Sequence, residues 1–188
     1  MSVISADLVR LDVDLGADTT DVITALAQVV HAAGRAKDAT RLADAALERE
    51  SQNPTGVPGR VAIPHCRSAA VSSPTLAFAR LARPVDFGGP DGDAELVFLI
   101  AAPEGGGKAH LKILSKLARA LVRGDFRERL RTARTPEEVT AAVDEVIGDI
   151  PATTTPPAKA KATIVAVTAC PTGIAHTYMA ADSLTQTA

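Results

Sequence analysis

Val61-Ala62-Ile63-Pro64-His65 is a short apolar strand that ends, through a proline, in a histidine. The proline fixes its own φ and holds the residue before it extended. The imidazole is therefore presented in a defined direction, as suits a histidine that must meet another molecule's reactive group. A second signal lies far downstream, where Thr163-Ile-Val-Ala-Val-Thr168 leads into Cys170-Pro-Thr-Gly-Ile-Ala-His-Thr177. Here too an apolar strand delivers one reactive side chain into a loop that opens a helix. The chain thus carries a poised histidine and a poised cysteine on two separate units.

Around the first strand the spacing predicts an α/β domain over residues 1–148. Residues 8–15 set Leu8, Arg10, Asp12 and Asp14 against Val9, Leu11, Val13 and Leu15, the alternation of a half-buried strand. Asp18 or Thr19 can cap a helix carrying Val22, Ile23, Leu26, Val29, Val30 and Ala33, which Gly34 ends. A second helix over 38–51 turns Leu42, Ala45 and Ala46 inward, with Arg49 on the same face. A long cation on an inner face wants an anion. Strands are predicted at 59–64, 74–82 and 94–102, the last two separated by the turn chemistry of Phe87-Gly-Gly-Pro-Asp-Gly92. Leu96-Val-Phe-Leu-Ile-Ala-Ala102 is apolar without interruption, as a central strand covered on both faces should be. Glycines 105–107 then open a helix over 108–123, with Leu114, Leu117, Ala118 and Leu121 on one stripe and His110 continuing it at the first turn. A short helix over 125–132 follows. Thr135-Pro-Glu-Glu138 is a capping box with proline at the first helical position, opening a helix with Val139, Val143, Val146 and Ile147 inward. The fold class expected is a mixed central sheet flanked by helices.

Residues 149–161, Asp-Ile-Pro-Ala-Thr-Thr-Thr-Pro-Pro-Ala-Lys-Ala-Lys, are expected to be a linker. Residues 162–188 are expected to hold one strand, one loop and one helix, too little to bury a core of their own. They read as an incomplete βα unit, the start of something longer.

Composition excludes several functions. Net charge is −2, aromatic residues make up 3% and tryptophan is absent, so neither phosphate tracking nor base stacking has support. No apolar run approaches the roughly 20 residues that span a bilayer. The N-terminus is no secretory signal, and two distant cysteines favour reduced thiols in a cytoplasm.

Four histidines compete for a role. His31 sits in a regular amphipathic helix and reads as structural or exposed. A Pro-His pair such as Pro64-His65 is also an ordinary turn. His110 could be no more than a helix-terminal residue. Should it come close to His65, however, the free N–H groups of that helix start offer an anion site, and the Arg49 fork suits phosphate oxygens. Zinc held by His65, Cys66 and His110 lacks the usual ligand spacing. A cysteine phosphatase needs an arginine six residues after its nucleophile, where this chain has His176. The loop after Cys170 nevertheless resembles a phosphate cradle that would lower the thiol pKa.

Gly59-Arg-Val-Ala-Ile-Pro-His65, Ala102-Pro103 and His110-Leu-Lys-Ile-Leu-Ser115 resemble enzyme IIA of the fructose–mannitol class of the bacterial phosphoenolpyruvate-dependent sugar phosphotransferase system, over about residues 1–148. Val167-Thr-Ala-Cys-Pro-Thr-Gly-Ile-Ala-His-Thr-Tyr-Met-Ala-Ala-Asp182 is similar to the start of a fructose-type enzyme IIB domain. The resemblance implies that His65 accepts a phosphoryl group on Nε2 from the phosphocarrier HPr. It implies that His110 bonds the phosphoryl oxygens, that Arg49 balances their charge, and that Cys170 receives the group next. Enzyme IIB and a membrane enzyme IIC domain become the implied partners, fructose the implied sugar, and the cytoplasm the location, with membrane association only through a full-length transporter. Neither cofactor nor metal is implied. The alternative is a nitrogen-type regulatory relative that binds partners according to its phosphorylation state. Thr55-Gly-Val-Pro-Gly-Arg60 departs from the glycine-rich run usual in the family at this place.

Overall fold

Leu96 to Ala102 have no exposed surface, and they form most of the strand on which the sheet is assembled. The computed structural model describes residues 2–148. The linker expected at 149–161 and the βα unit expected at 162–188, with Cys170 and His176, lie outside the described residues.

The strands are β1 (Val9–Val13), β2 (Gly56–Val57), β3 (Val61–Ala62), β4 (His65–Arg67), β5 (Thr75–Val85) and β6 (Ala94–Ala102). The helices are α1 (Thr19–Ala32), α2 (Ala39–Gln52), α3 (Gly107–Leu121), α4 (Gly124–Thr132) and α5 (Pro136–Ile147). The sheet runs β1-β5-β6-β3-β2, with β4 also on β6. β5 lies antiparallel to β6, whereas β3 and β4 are parallel to it and β1 is parallel to β5, so the sheet is mixed as expected. α1 packs on α2, β5 and β6, and α2 reaches β4. α3 packs on β6, α4 and α5, and α5 returns to β1. This places helices against both faces of β6, which is why that strand carries no polar face.

Local signals act where they were read. Asp18 caps α1 and Asp38 caps α2, each accepting from the backbone N–H three residues on, and Thr135 does the same for α5. Gly148 ends α5 at φ 61°, a conformation that glycine takes without a Cβ clash.

Four details differ from the sequence reading. Leu8 belongs to a single 3₁₀ turn (Ala6–Leu8) and is fully buried, so β1 begins at Val9. The strand expected over 59–64 is only Val61–Ala62, because Pro64 has no N–H for the ladder, and the pairing resumes beyond the expected span at His65–Arg67. The buried stripe of α3 is Ile113, Leu117, Ala120 and Leu121, while Ala118 is exposed and Leu114 half-buried. On α2, Leu42, Ala43, Ala46 and Glu50 are buried, and Ala45 only partly.

One side chain joins the edge strand to the helical layer. Asp12 adopts φ 53° at a register shift in β1, and the guanidinium of Arg80 meets both its oxygens at 2.7 Å. That guanidinium lowers the Asp12 pKa. The remaining nitrogen of Arg80, Nη1, lies 3.1, 2.7 and 2.8 Å from the carbonyl oxygens of Leu130, Arg131 and Ala133, capping α4. Arg80→Ala should therefore destabilise the domain by about 2–4 kcal/mol, since it strips charged partners from three carbonyls. Asp12→Asn, at an exposed carboxylate, should cost less than about 1 kcal/mol. Urea unfolding of the two variants checks the order, and equal losses would show that the α4 cap contributes nothing.

Candidate active site

His65 opens β4 with Ile100 of β6 as its register partner. Ile63, two residues earlier, stands outside the β6 ladder. Its N–H donates to the Thr55 carbonyl at 3.1 Å, and its own carbonyl oxygen lies 2.9 Å from His65 Nδ1. A carbonyl only accepts, so Nδ1 carries the ring proton and Nε2 carries the lone pair. The half-buried imidazole is thus held in one orientation and one tautomer, with Nε2 as its nucleophilic atom.

Behind this arrangement stands Glu50, a buried carboxylate with 8% of its surface exposed. Oε1 accepts from Thr55 N at 2.8 Å and Oε2 from Thr55 Oγ1 at 2.6 Å. These bonds offset the desolvation of the charge and fix the residue whose carbonyl receives Ile63. Pro58 and Arg60, where the chain departs from the family's glycine-rich run, form the β2–β3 turn at the other end of the strand. There Arg60 pairs with Glu95, and Gly59 N–H donates to Asp91 Oδ2 at 2.6 Å.

His110 reaches the same place from the first turn of α3. Its ring centre lies 5.5 Å from that of His65, with the planes tilted by 46°. It is buried, and its Nδ1 has no hydrogen-bond partner among the described residues. Burial, then the neighbouring His65 and Arg67, push its pKa down from 6.5 to about 4. His110 is therefore neutral at ordinary pH and can donate from one ring nitrogen only. Arg49, on the last turns of α2, donates from Nη1 to the Asn53 carbonyl at 3.3 Å. Arg49, His65 and His110 line a single cleft of about 700 Å³, together with Glu48, Glu104 and Arg67.

The three residues singled out in this domain are thus brought together. Arg67 and Glu50 were missed. Arg67 shares a strand face with His65, a relation visible only if the strand is carried past Pro64. Glu50 acts through a loop contact that leaves no periodic trace. Cys66 stands on the other side of β4, its Sγ 3.9 Å from the Leu42 carbonyl, and burial raises its pKa to about 12. Among the described residues no three His, Cys, Asp or Glu side chains converge as a metal ion requires. His31 is exposed and closes the turn after α1, its Nδ1 2.8 Å from the Ala36 carbonyl.

The depressed pKa of His110 sets a sign. Between about pH 6.5 and 4 an unfolded histidine is protonated while His110 in the fold is not, so the unfolded state binds more protons. This contribution to stability is full above about pH 6.5 and is lost as pH falls toward 4. The ring protons of His110 should not titrate between pH 8 and about 5.5, and His110→Gln should flatten the acid side of the stability profile. Proton NMR and urea titrations over pH read both. A His110 midpoint in the ordinary histidine range would show that the ring is solvated.

Residues 2–146 match the family described as phosphoenolpyruvate-dependent sugar phosphotransferase system, EIIA 2. The PTS system fructose-specific EIIABC component of Bacillus subtilis is 38% identical over 174 residues, 89% of this chain and 27% of that protein. The chain therefore spans little more than a quarter of that relative's length. The PTS system fructose-specific EIIA component of Haloferax volcanii is 45% identical over 116 residues, 61% of this chain and 75% of that one. The structure of the nitrogen regulatory protein IIA-Ntr from Neisseria meningitidis aligns with a TM-score of 0.69 at 30% identity, covering 75% of this chain and 96% of that one. The chain belongs to the EIIA 2 family of the phosphoenolpyruvate-dependent sugar phosphotransferase system, whose members act in phosphoryl transfer.

Proposed function

We propose that the chain is a phosphoryl relay in sugar uptake. In this reading His65 takes the phosphoryl group from phospho-HPr and passes it to an enzyme IIB cysteine, Cys170 in this sequence, on the way to a sugar. The observation that carries it is the bond from His65 Nδ1 to the Ile63 carbonyl, at 2.9 Å, in a cleft that also holds His110 and Arg49.

The Nε2 lone pair attacks phosphorus as the N–P bond of the donor breaks, its electron pair returning to the donor ring. Positive charge that develops on the His65 ring is met at Nδ1–H by the Ile63 carbonyl. The phosphoryl oxygens are met by the first-turn N–H groups of α3, by a neutral donor at His110 and by the Arg49 guanidinium. Positioning and electrostatics carry most of phosphoryl transfer, so these groups are sufficient without a metal. For the next step, a thiolate at a helix start is a competent acceptor.

Fructose is the favoured sugar, since the relatives from Bacillus subtilis and Haloferax volcanii are both described as fructose-specific. The likeness to IIA-Ntr supports a second reading, a regulatory phosphoprotein. The IIB-like sequence around Cys170 favours the relay, because a purely regulatory protein has no use for it. Among the described residues no helix is long and apolar enough to cross a membrane; in this reading membrane association comes through a IIC partner.

Incubation with phosphoenolpyruvate, enzyme I and HPr should label His65 with an acid-labile, base-stable phosphoryl group. His65→Ala should abolish that label, and retained labelling of residues 1–148 would refute the assignment. His110→Ala and Arg49→Ala should slow transfer roughly ten- to hundred-fold, the worth of one hydrogen bond to a charged group. Rapid-quench labelling measures this, and unchanged rates in both variants would remove them from the site.

A further inference from the structure

Arg67 is the cation of the cleft for which the relay just described has no task. It lies two residues after His65 on β4, and alternate residues of a strand face the same side. Both line the cleft. Arg67 Nη1 would lie 3.8 Å from a Cβ built on Gly107, the first residue of α3, so the guanidinium hangs beside the helix start. Its charge also contributes to the lowered pKa of His110. Three observations thus place one guanidinium among His65, His110 and the α3 N-terminus. Among the described residues it makes no ion pair and no side-chain hydrogen bond, whereas Arg49 is already bonded to the Asn53 carbonyl.

We propose that Arg67 is a second phosphoryl-binding cation, which grips the oxygens of phospho-His65 from the β4 side while Arg49 does so from α2. The proposal rests on His65 as the acceptor. A guanidinium presents two parallel N–H donors to phosphate oxygens, and the absence of a competing carboxylate bond leaves both available.

The equilibrium constant for phosphoryl exchange between phospho-HPr and this chain tests it. That constant depends only on the separate proteins, so a residue that merely docks HPr cannot move it. Arg67→Ala should lower the constant roughly tenfold, the effect of losing one charged hydrogen bond of about 1.4 kcal/mol. Arg67→Lys should recover part of the loss by keeping the charge without the fork. An unchanged constant with slower exchange would make Arg67 a docking residue and overturn the proposal alone. If wild-type label also survived in His65→Ala, the acceptor assignment would fail and the proposal with it. Arg67 is exposed, so the variants should fold, and the His65 and His110 ring resonances of the unphosphorylated protein verify it.

Discussion

The active face depends on β6 holding two halves of a broken strand in one register. Val61 stands opposite Leu96 and His65 opposite Ile100, so the offset is the same on both sides of Ile63-Pro64. The Ile100 N–H bonds the Pro64 carbonyl at 2.9 Å and carries that register across the gap. Pro64 removes one donor from the ladder, and β2, antiparallel to β3, begins only at Gly56, leaving the Ile63 carbonyl without a strand partner. The imidazole two residues on takes it. A slip by one residue would turn the ring to the face now occupied by the Cys66 thiol. The tautomer of the proposed nucleophile is thus a consequence of strand pairing, set by backbone bonds before any partner arrives.

Glu50 extends the same constraint into the helical layer. A buried carboxylate is costly unless its oxygens are bonded, and here both bonds go to Thr55, whose carbonyl in turn receives Ile63. Its neighbour Arg49 lines the cleft. Two successive residues of α2 therefore do separate things. One ties the end of the helix to the strand that carries His65, and the other offers a cation beside that histidine. Moving α2 would disturb the imidazole and the guanidinium together.

The elements that were legible in the sequence are those specified locally. β6 was legible because seven successive apolar residues leave no polar face, and α5 because its cap and its inner stripe agree. The β1 bulge at Asp12 was not, since it is held by Arg80 from a strand 68 residues away. The α3 stripe was misread at Ala118 because residues three and four apart fit one helical face almost equally well, and only the packing against β6 and α5 decides between Ala118 and Ala120. His110, Arg49 and His65 were legible as residue types at element ends. Their convergence was legible only through the family resemblance and not through periodicity or spacing, because it is a property of the sheet order that puts β4 beside β6 and so beside the start of α3. Arg67 was hidden by the same proline that made His65 visible.

A relay site works under a constraint that an ordinary binding site escapes, since what it grips it must release. Full charge on every contact would hold a phosphoryl group too well. In this cleft His110 lies 5.5 Å from His65, near enough that a protonated ring would add a third cation beside the two guanidinium groups. Burial keeps that ring neutral, so it can orient an oxygen by a hydrogen bond while adding no net charge. The arginines face solvent on at least one side and are screened, and Glu48 and Glu104 at the rim offset them further. In the proposed relay such a balance would leave a phosphoryl group oriented for in-line transfer at Nε2 of His65 and only moderately stabilised there, which is what a carrier needs in the middle of a chain of exchanges.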